Sequence, residues 1–178
     1  MPRKVKLYIA VSLDGYIADI HGGVEWLDNC QLPDYISYDY DNFIQTIDTV
    51  IMGKTTYTQV IQELSPNAWP YKQCLTYVLT HQTLENKENI IFYRGDLVSL
   101  INDLKHQSGK DIWICGGANV IEQLRKEDLI DIYHLTVAPI LLGEGIRLFT
   151  QTQSRNLDFV KSYQDGAFVN VVYTRKRD

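Results

Sequence analysis

Ile112-Trp113-Ile114-Cys115-Gly116-Gly117-Ala118-Asn119-Val120 is the stretch whose reading decides the fold. The apolar run Asp111–Cys115 reads as a buried β-strand, and a helix with Val120, Ile121 and Leu124 on its inner face begins directly after the two glycines. A strand that passes through glycine into a helix presents free backbone N–H groups and the positive end of the helix, and no Cβ bars a phosphate from them. A plain tight strand–helix turn has the same residues, and the spacing is not the GxGxxG fingerprint. What the junction does therefore depends on its neighbours.

Working outward, the same alternation recurs. Val5–Ser12, Thr49–Met52, Leu75–Thr80, Asn89–Tyr93 and Asp131–Ala138 are short β-branched or aromatic runs that read as strands. Helices are expected over Asp34–Ile47, from a Thr55 or Thr56 cap to Leu64, and from an Asp96 cap with Leu97, Leu100, Ile101 and Leu104 inward. Leu157–Tyr163 and Ala167–Arg175 read as a hairpin turning at Gln164-Asp165-Gly166. Strands alternating with helices predict an α/β fold with a mostly parallel sheet covered on both faces, made mixed by the C-terminal hairpin. No repeat or linker interrupts residues 1–178, so one domain is expected, and the long loops Leu13–Pro33 and Pro139–Arg155 are expected to be functional.

Other strand ends carry chemistry. Met52-Gly53-Lys54-Thr55-Thr56-Tyr57 repeats the strand–glycine–helix order and adds two hydroxyls and a cation, although the threonines also suit capping and Lys54 also suits solvent. Leu79-Thr80-His81 and Arg94-Gly95 end the next two strands, where a ribose or its phosphate fits as well as plain loop does. Ala10-Val11-Ser12-Leu13-Asp14-Gly15-Tyr16-Ile17-Ala18-Asp19 places an acid and an aromatic on a turn, and Asp14 serves either the turn or a substrate. Several such junctions at the C-terminal ends of strands in one sheet define a ligand crevice.

Composition narrows the partners. Of 178 residues, 45% are hydrophobic and 22% charged, which argues against long disorder. Seventeen Lys and Arg against 22 Asp and Glu give a net charge of −5 without a basic stripe, so nucleic acid is not the expected partner. Arg3-Lys4 and Arg175-Lys176-Arg177 read as solvated chain ends. Cys30, Cys74 and Cys115 have no metal-ligand spacing, and their odd number suits a reducing cytosol. Neither a signal peptide nor a run of transmembrane length is visible, so a cytoplasmic protein without membrane contact is expected.

Taken in order, AVSLDGYIAD (10–19), GGVEWL (22–27), IDTVIMGKTTY (47–57), YVLTH (77–81), IWICGGANVIEQL (112–124) and LIDIYHLTVAPILLGEGIRLF (129–149) resemble the dihydrofolate reductase superfamily. Within it, the closer resemblance is to bacterial proteins like the C-terminal reductase domain of the bifunctional riboflavin biosynthesis deaminase/reductase. That resemblance implies a dihydrofolate-reductase-like sheet of about eight strands with helices on both faces, with NADPH across the strand ends. Gly116, Gly117, Ala118, Asn119 and Val120 would hold its pyrophosphate and nicotinamide side, with a cis Gly116–Gly117 peptide. Gly53, Lys54, Thr55 and Thr56 would hold phosphate, and Leu79, Thr80 and His81 the adenosine end. Ala10, Gly15, Tyr16 and Ile17 would border the nicotinamide under a lid formed by Leu13–Val24.

The implied chemistry is hydride transfer to a C=N or C=O of a small heterocycle or open-chain sugar, the reference substrate being 5-amino-6-(5-phosphoribosylamino)uracil. Asp14 is the first candidate for gripping polar substrate atoms, with Glu25 and Asp39 behind it, and Trp26 either packs on a planar substrate or fills the lid. Folate enzymes grip pterin with an acid on the first helix. Asp34, Asp39 and Asp41 compete for that place, while Thr136 matches the threonine that partners it. Ile121 stands where folate enzymes commonly carry Tyr, and SLDG (12–15) and PILLGEG (139–145) resemble the riboflavin-type branch, which leaves dihydrofolate or another pteridine as the alternative substrate. A non-catalytic NADPH-binding protein on the same fold is the third reading. A homodimer is expected.

Overall fold

The computed structural model describes residues 2–32, 37–150 and 154–176. The chain begins with β1 (Val5–Ser12) and β2 (Tyr16–Ala18), then a 3-10 turn (Glu25–Cys30) and α1 (Asp39–Ile44). β3 (Ile47–Gly53) leads into α2 (Lys54–Gln59), which continues as a π-helical turn (Val60–Leu64). β4 (Leu75–Leu79), β5 (Ile90–Tyr93), α3 (Leu97–His106), β6 (Asp111–Gly116), α4 (Ala118–Lys126) and β7 (Ile132–Ala138) follow. β8 (Ile146–Arg147) and the hairpin β9 (Leu157–Asp165) and β10 (Phe168–Arg175) complete it.

Eight strands form one sheet in the order β5-β4-β3-β6-β1-β7-β10-β9, and β2 pairs with β8 in a separate ribbon. β5 to β7 run parallel and β10 and β9 antiparallel. The parallel strands therefore all end on one edge, which carries Ser12, Gly53, Leu79, Tyr93, Gly116 and Ala138. From β1 the chain winds outward through β3, β4 and β5 and then returns through β6 to β7. α1 and α2 consequently cover one face and α3 and α4 the other. Reversal of the winding beside β6 leaves a crevice at the C-terminal strand ends.

Two apolar layers hold this arrangement. Leu97, Leu100, Ile101 and Leu104 of α3, with Val120, Ile121 and Leu124 of α4, pack on Leu7, Ile51, Ile112 and Ile114. Phe43 and Ile44 of α1 and Tyr57 of α2 pack on Val50, Met52, Val78 and Trp113. β3 sends Ile51 to one layer and Val50 and Met52 to the other, which is why it reads as a continuous apolar run. Asp96 caps α3 as expected, its Oδ2 accepting from the Ser99 N–H at 2.7 Å.

Local readings are corrected in four places. α1 starts only at Asp39, and residues 34–36 of the expected helix lie outside the described residues. α2 begins at Lys54 behind a Gly53 cap, so Thr55 and Thr56 are not its caps. The two long loops contain the ribbon strands β2 and β8. Arg3 is not a solvated end: it is 5% exposed, donates to the Lys110 carbonyl and Thr49 Oγ1, and pairs with Asp48. Arg175 is also tied down, by Asp128 and Asp131. Both act as side-chain clasps between the sheet and the loops at its opposite edge. No helix among the described residues is long and apolar enough to cross a membrane.

Candidate active site

Register brings the glycine junctions together. Met52 pairs with Gly116, and Gly53 with Leu79. A Cβ on Gly53 would lie 3.6 Å from Val120 Cγ2 and 4.0 Å from the Gly117 nitrogen, and one on Gly117 would lie 3.5 Å from Thr56 Oγ1. The starts of α2 and α4 thus stand side by side, with glycine at each N-cap and, among the described residues, no side-chain cap hydrogen bond at either. The peptide between Gly116 and Gly117 is cis. These uncapped donors, in a cradle that side chains would fill, suit the phosphates of a dinucleotide.

Flanking residues are placed as follows. Lys54 donates to Thr58 Oγ1 at 2.8 Å, and its Nζ lies 5.6 Å from the Tyr57 ring centre. Thr55, Asn119 and His81 are exposed, Asn119 accepting from Gln123. Ala118 opens α4. Thr80 follows β4, and its hydroxyl accepts from the Gln82 N–H. Ala10 pairs with Thr136, and the β1–β2 turn passes through Gly15 at φ +91, a backbone that suits glycine. In β2, Ile17 packs against the α3/α4 core layer, while Tyr16 donates from its hydroxyl to the Gly143 carbonyl and receives Arg147.

Asp14 ties this turn to the 139–145 loop. Its carboxylate accepts from Ser12 Oγ at 2.6 Å, the Leu142 N–H at 3.1 Å and the Gly143 N–H at 2.7 Å. The Ser12 hydroxyl and then the two loop N–H groups hold it down at about 2, from an ordinary 3.8. A lowered carboxylate stabilises the fold above its unfolded value, and the contribution disappears as pH falls through the folded one. The stability advantage of the wild type over Asp14→Asn should therefore shrink between pH 3.8 and about 2. Urea unfolding across that range checks it, and an advantage independent of pH would refute the tether.

In the lid, Asp19 Oδ1 accepts from the His21 and Gly23 N–H groups, and Gln59 of α2 donates to the Gly22 carbonyl at 2.8 Å. Glu25 is exposed at the head of the 3-10 turn. Trp26 is 8% exposed, and its indole N–H has no acceptor among the described residues.

A cavity of about 180 Å³ opens between α1 and the sheet, with Tyr8, Asp39 and Thr136 in its wall and Gln31, Leu32 and Phe168 among its other residues. Of the competing acids, Asp39 shares the cavity with Thr136 and Asp41 is exposed, while Asp34 lies outside the described residues. Tyr8 donates to Asp39 Oδ2 at 3.0 Å and Tyr163 to Oδ1 at 2.5 Å. Thr136 Oγ1 donates to Asn170 Oδ1 at 2.7 Å. Burial and the adjacent Asp39 carboxylate push both phenols well above the usual tyrosine range, so they remain donors.

Tyr8, His134, Tyr163 and Asn170 were not singled out by sequence. The i, i+2 spacing of His134 and Thr136 on one strand was a usable signal. For Tyr163 and Asn170 it was absent, because they meet the site only through the registers Asn170↔Tyr163 and Asn170↔Thr136.

Sheet order, hairpin and strand-end crevice together define a dihydrofolate-reductase-like protein. More particularly, the family described as the RibD C-terminal domain matches residues 3–171, and the chain belongs to that family. The uncharacterised Bacillus subtilis (strain 168) protein YwjB is 39% identical over 177 residues, covering 98% of this chain and 99% of the relative. A Shewanella sp. PV-4 protein named for riboflavin biosynthesis superposes with a TM-score of 0.85 at 32% identity, over 99% of this chain and all (100%) of that one. The Thermotoga maritima diaminohydroxyphosphoribosylaminopyrimidine deaminase/5-amino-6-(5-phosphoribosylamino)uracil reductase shares the fold at a TM-score of 0.71 and 14% identity, over 98% of this chain and 57% of that one. Enterococcus faecalis dihydrofolate reductase complexed with NADP(H) shares it at 0.66 and 17%, over 98% and 97%. These likenesses support a reductase of the RibD family.

Proposed function

We propose that the protein is an NADPH-dependent oxidoreductase acting on a small heterocyclic or ribosylamino-pyrimidine substrate, as does a 5-amino-6-(5-phosphoribosylamino)uracil reductase. The observation that carries this reading is the pair of uncapped helix starts at Gly53 and Gly117, set in the same sheet as a cavity walled by Asp39 and Thr136. Lys54, Thr55 and Thr56 would add to the phosphate contacts, Leu79, Thr80 and His81 would take the adenosine end, and Gly116, Ala118, Asn119 and Val120 would line the path between. Ala10, Gly15, Tyr16 and Ile17 would border the nicotinamide. When bound, NADPH supplies the hydride.

The chain's own task is alignment and proton control. Asp39 accepts hydrogen bonds from substrate N–H groups, held in place by the Tyr8 and Tyr163 hydroxyls. Thr136, oriented by Asn170, offers its hydroxyl beside it. Asp14 keeps the 139–145 loop against the β1–β2 turn. Glu25 and Trp26 belong to the lid, where Trp26 would cover a planar substrate and exclude water. A thermal-shift titration tests the cofactor: a ligand at a hundred times its Kd adds about 2.7 kcal/mol. NADPH should stabilise well beyond NADH, and no shift with either would end the reductase reading.

Gly53→Ala makes the phosphate assignment specific. At φ −77 the added Cβ meets only ordinary contacts, so the stability of the free protein should change by less than about 0.5 kcal/mol. NADPH binding should weaken about tenfold or more, equivalent to about 1.4 kcal/mol, because the methyl enters the cradle. Equal affinity by calorimetry would remove Gly53 from the site.

A second reading, a dihydrofolate or pteridine reductase, is favoured by the shared cavity of Asp39 and Thr136. Loss of NADPH absorbance with each substrate in turn separates the two, and NADPH binding without turnover of either favours a non-catalytic binding protein. A homodimer belongs to the same proposal. Among the described residues, β9 is an edge strand paired with β10, and it exposes Phe159 and Val160. Sedimentation at the monomer mass of 20.6 kDa would exclude it.

A further inference from the structure

Three oxygens converge on one buried nitrogen beside the cavity. His134 is 8% exposed, and its Nε2 lies 3.1 Å from the Tyr163 hydroxyl, 3.2 Å from Asn170 Oδ1 and 3.5 Å from Asp39 Oδ2. The amide oxygen and the carboxylate can only accept, so Nε2 carries a proton in this arrangement. Tyr163 spends its own proton on Asp39 Oδ1, which leaves its lone pairs for His134. The bonds therefore point one way, from His134 through Tyr163 to Asp39.

Asn170 supplies a second observation. It is 0% exposed, its Oδ1 takes bonds from both Thr136 and His134, and its Nδ2 has no acceptor among the described residues. An orphaned buried donor costs about 1–3 kcal/mol. Turning the amide over would direct Nδ2 at His134 Nε2 and Thr136 Oγ1, but only if Nε2 had lost its proton. One amide orientation thus matches a ring with a proton on Nε2 and the other a neutral ring protonated on Nδ1 alone.

We propose that His134 is the proton reservoir of the site, feeding Asp39 through Tyr163 and read by the orientation of Asn170. The proposal rests on the reductase reading above. In the transfer, the His134 Nε2–H bond breaks as a new Tyr163 O–H bond forms, and the former Tyr163 O–H bond breaks as Asp39 Oδ1–H forms. That O–H bond then breaks as an N–H bond forms on the substrate nitrogen of a C=N whose carbon receives the hydride. The substrate is reduced by two electrons and the reduced nicotinamide is oxidised. His134 ends neutral, with its remaining proton on Nδ1, and is recharged from solvent.

The groups facing His134 suit a donor that releases its proton. Burial pushes its pKa below 6.5 against the opposing pull of Asp39 of α1 and of the hydrogen bond to Asn170, and Lys161 of β9 and Lys6 of β1 push the same way as burial. Tyr8 of β1 packs edge-on, with ring centres 4.5 Å apart, and Tyr163 of β9 and Asn170 of β10 complete the surround.

The test begins without cofactor, by an NMR pH titration of the four histidine rings, His134 being assigned by its loss in His134→Gln. Asp39→Asn should lower the His134 midpoint by about one unit, the loss of one close opposite charge. An unchanged midpoint overturns the coupling whether or not the protein is a reductase. In turnover, wild-type kcat should fall as pH rises through the same midpoint. Tyr163→Phe, which leaves the imidazole in place and cuts the path, should reduce kcat about 100-fold and flatten the profile, with the NADPH thermal shift intact. A Tyr163→Phe enzyme with the wild-type profile overturns the relay even if His134→Gln fails to fold. Coupling seen by NMR in a protein that NADPH does not stabilise overturns the reductase reading instead, and with it the substrate as the proton's destination.

Discussion

Asp39→Asn is expected to lower kcat/KM by about 10²–10⁴-fold, the range that a positioned acid–base group contributes. In free energy that is about 3–5 kcal/mol of transition-state stabilisation. The substitution keeps the shape of the side chain. Its remaining oxygen can still accept from Tyr163, and the Tyr8 hydroxyl oxygen can accept from the new NH2, so the fold should survive. What goes is the carboxylate that receives substrate N–H groups. Because Asp39 is on α1 and the uncapped N–H groups are on α2 and α4, the NADPH thermal shift should match the wild type. Steady-state kinetics with a titration of each variant measures both quantities. A variant within about threefold of wild type, well short of the acid–base range, would remove Asp39 from the chemistry.

The largest stability effect is expected far from the cavity. Asp131 is 9% exposed, and its Oδ2 accepts from Lys105 at 2.8 Å and from the Val5 N–H at 2.9 Å, while Oδ1 accepts from Arg175 at 3.1 Å. One carboxylate therefore joins the start of β1, the end of α3 and the end of β10. Asp131→Ala strands the partly buried Lys105, leaves Arg175 with Asp128 as its remaining carboxylate, and leaves the N–H of fully buried Val5 without an acceptor. Breaking a buried pair costs about 3–5 kcal/mol. Lys105 and Arg175 keep side-chain exposures of 18% and 25%, so they can turn toward water, which puts the cost at the lower end, about 3 kcal/mol. In a chain of this size that lowers Tm by roughly 6–12 °C. Urea and thermal unfolding read it directly. A cost under about 1 kcal/mol would class the cluster with surface ion pairs.

Legibility in the sequence followed the range of the interactions involved. Helix α3 was readable from Asp96 and the spacing of Leu97, Leu100, Ile101 and Leu104, because a cap and an apolar stripe act within a few residues. β3 was readable because burial on both faces demands an unbroken apolar run. The Thr55 and Thr56 caps misled because a glycine N-cap leaves no side-chain signature, and that same feature keeps the N–H groups at Gly53 open. Arg3 misled because its partners Asp48, Thr49 and Lys110 are more than forty positions away in the chain.

The cavity shows the same division. By itself the sequence determined which segments become strands and helices, that glycines stand between strand and helix at 53 and 116–117, and that acids and a threonine were available near Asp39 and Thr136. Period, capping and glycine's lack of a Cβ are local properties, and local sequence encodes them. Only the tertiary structure decided that Asp39 rather than Asp41 shares a cavity with Thr136, that Asp14 spends its carboxylate on the 139–145 loop, and that Tyr8, His134 and Tyr163 gather around the Asp39 carboxylate while Asn170 bonds to His134 and Thr136. Those contacts depend on strand order and register, and these follow from how the two apolar layers close on the sheet as a whole rather than from any one segment.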